Sequence, residues 1–181
     1  MKQIVTHLVL TIVMCLIPSI ALTQNTSEHF KFMGIPINGT YENFVQKLKL
    51  KGFKQFGDLE IYKGVFDNDT VLVGVENDKE LNLVYAVQVI KIKDVVFTEY
   101  ETKLYPKFDN LVDRLENKYH SEAIEWDDNK HFVFIPINRN NKYVGNIAVR
   151  IGQMGSNCLI SMTYYDVLNF EKHKIAKDKD L

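Results

Sequence analysis

From Tyr41 onward the apolar positions recur at helical spacing: Tyr41, Phe44, Val45 and Leu48 fall at i, i+3, i+4 and i+7 and make one stripe. Thr40 supplies an N-cap oxygen, Glu42 places an acid where the helix dipole favours one, and Gly52, with Phe53 behind it, is the expected left-handed stop. A second stripe runs through Leu104, Phe108, Leu111, Leu115 and Tyr119. Pro106 either opens this helix in its first turn or kinks an earlier turn that begins near Thr98. The segments Tyr41 to Leu48 and Phe108 to Leu115 align without a gap: aromatic, acid, Asn, apolar, Val, polar, base and Leu recur in that order, and Lys51 matches Lys118.

After each helix the pattern changes to alternating or β-branched runs. Gln55 to Phe66, Thr70 to Glu76 and Leu83 to Lys93 follow the first; Ala123 to Asp127, His131 to Asn138, Tyr143 to Ile151 and Cys158 to Tyr165 follow the second. Asp67-Asn68-Asp69 and Asp127-Asp128-Asn129 read as hairpin turns, Asn138 to Lys142 as a polar loop, and Gly152 to Asn157 as the loop before the last strand. Val87, Val89 and Ile92 interleaved with Gln88, Lys91 and Lys93 predict a strand wet on one face, with a slip near Ile90. This order predicts an α+β fold, a tandem helix-plus-antiparallel-meander repeat with the helices packed on one face of the sheet or sheets. The two halves cover about 30–94 and 98–166 of one domain spanning 24–170, and 171–181 is a charged C-terminal tail.

The N-terminus has a different texture. Residues 1–23 hold one charged side chain of the Asp, Glu, Lys and Arg classes, Lys2, followed by an apolar run from Ile4 to Ile17, Pro18, and the small-residue exit Ser19-Ile20-Ala21. That is the pattern of a signal peptide, cut after Ala21 or before Gln24, and it predicts export to the periplasm or the exterior with no stable membrane anchor after cleavage. Cys15 lies inside the apolar run behind bulky Met14, which departs from a lipidation motif. The remaining chain keeps one thiol, Cys158, so no intramolecular disulfide can staple it and an ordinary core must hold the fold.

The run Phe32-Met33-Gly34-Ile35-Pro36-Ile37-Asn38-Gly39-Thr40, the helix ending Leu50-Lys51-Gly52-Phe53, the stretch Gly57 to Phe66 and Leu115-Glu116-Asn117-Lys118-Tyr119 resemble small exported proteins of Bacteroidetes. Their layout is similar to that of the beta-lactamase-inhibitor-protein and SmpA/OmlA outer-membrane assembly groups, in which a helical piece and an antiparallel sheet occur once or in tandem. The resemblance covers about 30–165 and implies an architecture. This chain lacks the inhibitor's paired cysteines and the assembly proteins' lipidated cysteine, and no functional residue carries across.

Composition and charge narrow the function further. A formal net charge of −1 and 25% charged residues give no basic footprint for nucleic acid. His29, His120, His131 and His173 are scattered without a metal-ligand spacing, the glycines form no phosphate-binding loop, and no serine sits in a nucleophile motif, so neither a metal nor a cofactor is implied and no catalytic residue stands out. Aromatics make up 12% of the chain. Tyrosine and tryptophan suit interfaces because a large rigid body carries a polar tip, and Trp126, Tyr143 and Tyr164 are the candidate surface anchors. The expectation is a non-catalytic protein-binding module, inhibitor-like or envelope-associated, whose partner is another protein or an envelope component. The alternative is a cone-shaped ligand-binding or enzymatic pocket of cystatin-like or nuclear-transport-factor-like type, with His131 or a buried carboxylate as acid/base.

Overall fold

A computed structural model describes residues 28–96, 100–125, 132–154 and 157–178. The leader pattern of 1–23, Trp126, the Asp127-Asp128-Asn129 turn and His131 lie outside the described residues. A small hairpin of β1 (Lys31–Phe32) and β2 (Ile35–Pro36) comes first, then α1 (Tyr41–Leu50), β3 (Lys54–Gln55), β4 (Ile61–Phe66), β5 (Asp69–Asp78) and β6 (Leu83–Val96). A π-helical turn over Tyr100–Leu104 leads into α2 (Tyr105–Tyr119), β7 (Ile124–Glu125), β8 (Phe132–Arg139), β9 (Lys142–Met154), β10 (Asn157–Asp166) and α3 (Val167–Asp178). The fold is α+β, with one eight-stranded antiparallel sheet in the order β3-β4-β5-β6-β10-β9-β8-β7. The central pair is thus β6 with β10, and the strand that follows each of the first two helices, β3 or β7, is outermost.

Local chemistry explains the boundaries. Thr40 Oγ1 accepts the Asn43 N–H at 3.3 Å, capping α1, and Gly52 takes φ +91°, which lets Phe53 turn back and bury. Asp67-Asn68 and Asn140-Asn141 all adopt positive φ, the geometry of two-residue hairpin turns that match strand twist. The expected polar loop near Asn138 therefore shrinks to two residues, with Arg139 paired to Lys142. The slip expected near Ile90 is a register shift at the seam: Cys158 pairs with Val95, yet Ile160 pairs with Lys91. The last loop is also shorter than predicted, because Gly152 and Gln153 already pair with Leu159 and Cys158.

One face of the sheet carries the core. Val71, Val73, Val87, Val89, Met162, Tyr164, Ile147, Val149 and Ile135 are in register across five strands and buried. Phe44, Val45 and Leu48 of α1 and Phe108, Leu111, Val112 and Leu115 of α2 bury against them, so the aligned positions of the two helices share a burial pattern. Phe30, Phe32, Ile35 and Ile37 of the N-terminal hairpin and its flanks complete the same cluster.

The third helix departs from the expected arrangement. Where a charged tail was predicted from 171, α3 continues to Asp178 and sits across one end of the sheet, with Phe170 and His173 against Tyr85 and Tyr165. Asp166 starts it: its Oδ1 accepts the Asn169 N–H at 3.0 Å and its Oδ2 the Phe30 N–H at 2.7 Å. Buried Asn169 then ties α3 to the body by donating to the carbonyls of Ile37 and Val84.

Candidate functional site

The face of the sheet opposite α1 and α2 is the first candidate. Strand register places Lys63, Leu72, Ile90, Ser161, Arg150 and Phe132 in one row across it, with Gly74, Gln88, Thr163, Ala148 and Phe134 in the next. The small residues Ala148, Ser161 and Thr163 are buried between taller neighbours, making a low strip flanked by half-buried Leu72, Ile90, Phe132 and Phe134. Phe132 and Phe134 lie with ring centroids 4.7 Å apart. Arg150 Nε donates to Ser161 Oγ at 3.3 Å, leaving the rest of its guanidinium facing outward. At the end held by α3, burial raises the Glu76 carboxyl above its ordinary range although Tyr85 hydrogen-bonds to it. Burial and the neighbouring Glu76 push Tyr85 up to about 12, so its hydroxyl stays a donor.

The second candidate is a cleft of about 400 Å³ on the core side, between α2 and the β4–β5 hairpin. Met33, Phe66, Leu111, Leu115 and Met162 line it, Tyr164 reaches it from below, and Arg114, Lys118 and Asp67 stand at its rim. Arg114 grips Asp67 with two N–H groups at 3.1 and 2.7 Å, while Lys91 Nζ donates to Asp67 at 3.2 Å and to Asp69 at 3.0 Å. The Arg114 hydrogen bond, helped by Lys91, holds the Asp67 carboxyl below the usual carboxylate range. Lys91 corrects an expectation: it is buried on the core face, in line with Val89 and Met162, because the two hairpin aspartates turn inward to meet it.

The chain matches no protein-family model, no curated protein and no solved structure.

The residues expected to act as anchors are dispersed. Tyr143 is 47% exposed near the β8–β9 turn, where its hydroxyl accepts from Asn146 Nδ2 at 3.0 Å. Tyr164 is not a surface residue: it is 2% exposed, because β10 is a central strand and this position points into the core, among Phe30, Phe32 and Phe66. Trp126 lies outside the described residues, so Tyr143 and Tyr164 are the anchors that can be located, and they do not share a site. Among the described residues no group of three or more His, Cys, Asp or Glu could hold a metal ion, and no helix is long and apolar enough to cross a membrane. Sequence reasoning missed the row from Lys63 to Phe132. The alternation in each strand marks one face as wetter, but only strand order brings Ile90 between Leu72 and Ser161.

Proposed function

We propose that this chain is an exported, non-catalytic binding module that docks another protein, inhibitor-like or envelope-associated, through the open face of its sheet. The leader pattern of 1–23 supports export to the periplasm or the exterior. The observation that carries the docking reading is the row of half-buried Leu72, Ile90 and Phe132, with Phe134 beside it, on the face away from α1 and α2. Aromatic and aliphatic side chains beside an outward arginine are the composition of interface centres. Lys63 closes one end of the row and Arg150 stands beside Phe132 near the other, so the partner that fits is an apolar protein ridge flanked by carboxylates. The shared helix pattern at Tyr41 to Leu48 and Phe108 to Leu115, each followed by four strands, supports descent of the two halves from one duplicated unit.

Site-specific photo-crosslinking in the native cell tests the docking. A crosslinking side chain at position 90 or 134 should trap one defined partner. The adduct should be competed by unlabelled protein and lost with Lys63→Glu plus Arg150→Glu, and a probe replacing exposed Gln46 on α1 should give none. Equal adducts from position 46, or none from 90 and 134, would overturn the reading.

A further inference from the structure

The cleft beside α2 holds a buried polar group that the fold itself does not use. Tyr164 is wedged by the rings of Phe30, Phe32 and Phe66, with centroids 5.8, 5.2 and 6.4 Å away, and cannot swing its hydroxyl to solvent. Among the described residues that hydroxyl meets only Met162 Sδ, at 3.9 Å, and a thioether is a weak acceptor. Buried hydroxyls normally find an oxygen or nitrogen partner, since leaving one without costs stability. Burial also raises its pKa, so the group remains a protonated donor.

The surrounding charges specify what it would donate to. Asp67 is already neutralised by Arg114 and Lys91. Arg114 spends two of its N–H groups on that carboxylate and keeps others, and Lys118 rests its ammonium 5.2 Å from the Tyr119 ring with no carboxylate partner among the described residues. One additional negative charge therefore fits beside the rim, and the walls of Met33, Phe66, Leu111 and Leu115 fit an apolar body. At about 400 Å³ the space lies within the range of small-molecule sites.

We infer that this cleft is a binding site for a small apolar carboxylic acid, whose carboxylate accepts from Tyr164 and pairs with Lys118 and the free edge of Arg114. The site is separate from the open sheet face, since Met162 and Tyr164 project from β10 to the side opposite Ser161 and Thr163.

Decanoate, titrated below its micelle concentration and followed by calorimetry and by the carboxyl carbon signal in NMR, tests this. Saturable one-to-one binding is expected, with uncharged decanol at least about tenfold weaker. Tyr164→Phe should weaken decanoate by about tenfold, the usual loss when a hydrogen bond to a charged group is removed. Lys118→Gln, at an exposed position, should weaken it severalfold. Lys63→Glu plus Arg150→Glu on the open face should leave it unchanged. If Tyr164→Phe does not fold, Met33→Trp decides, because it fills the cleft from a half-buried turn position and should abolish binding with the circular dichroism intact. No saturable binding, equal binding of decanol, or affinity untouched by Lys118→Gln and by the Tyr164 or Met33 variant would overturn the site.

Discussion

Asn169 is fully buried on α3, and its side-chain nitrogen donates to the Ile37 and Val84 carbonyls, each at 3.0 Å. Asn169→Asp keeps the shape and replaces the donor with an oxygen that faces two carbonyl oxygens. Each carbonyl then lacks its partner, at about 1–3 kcal/mol apiece. The buried carboxylate adds a desolvation cost, so the introduced acid takes up a proton and recovers one bond. A loss of about 3–5 kcal/mol at neutral pH follows, limited by the point at which α3 detaches. For a chain of this size that lowers Tm by roughly 6–20 °C at about 2–4 °C per kcal/mol. The pH dependence has a definite sign. The introduced carboxyl has a folded pKa above its unfolded value of about 3.9, so the deficit is smallest below that value and grows as pH rises through the folded pKa. Asn169→Leu loses the same two bonds but also removes the unpartnered Oδ1, and should cost about 1–3 kcal/mol with no dependence on pH. Urea unfolding at pH 4 and pH 7 measures all of this. A stability for Asn169→Asp within about 0.5 kcal/mol of the parent at pH 7, or a deficit equal at both pH values, would refute the assignment of α3 as held by this amide.

Two further outcomes follow from the described contacts. Asp78 is held below the ordinary carboxylate range by the Leu81 N–H and by His173, whose Nδ1 lies 2.8 Å away, so its stabilising contribution is present above the unfolded pKa and is lost as pH falls through the lowered folded value. Asp78→Asn should flatten the acid limb of a stability-versus-pH curve, and an unchanged limb would sink the idea. Leu48→Ala in α1 and Leu115→Ala in α2 each empty a buried position in one shared core cluster and should each cost about 2–5 kcal/mol. Circular dichroism and tyrosine fluorescence should still report one coincident unfolding transition for either variant; separate transitions would show that the halves unfold independently.

Much of the architecture was legible because local signals agreed. The Tyr41 stripe, the Thr40 cap, the Gly52 stop and the Asp67-Asn68 turn each depend on neighbours within a few residues, and all occur as read. What was not legible depended on distant partners. Lys91 looks solvent-facing in an alternating strand and is buried only because the β4–β5 hairpin turns two aspartates toward it. The segment from Val167 has charged residues on a weakly apolar background, and its helix is fixed by Asp166 and Asn169 reaching the N-terminal hairpin and β6. Tyr164 reads like any interface tyrosine until the central position of β10 puts it under α2. Both candidate sites belong to this second kind, since each combines side chains from elements far apart in sequence.

The meeting of β6 with β10 at the middle of the sheet has a consequence for how the chain comes together. Every other strand pair in the large sheet joins neighbours in sequence, and these close quickly as local hairpins. The central pairing, as between Ala86 and Tyr165, waits until β10 has emerged, about eighty residues after β6. Until then β6 presents one long bare edge of backbone donors and acceptors, the kind of edge that recruits strands from other molecules. Once the seam closes, β6 is paired on both sides, and among the described residues β3 and β7 are the outermost strands of the sheet. The half-made chain is therefore the aggregation-prone species, and a truncation that removes β10 creates it permanently.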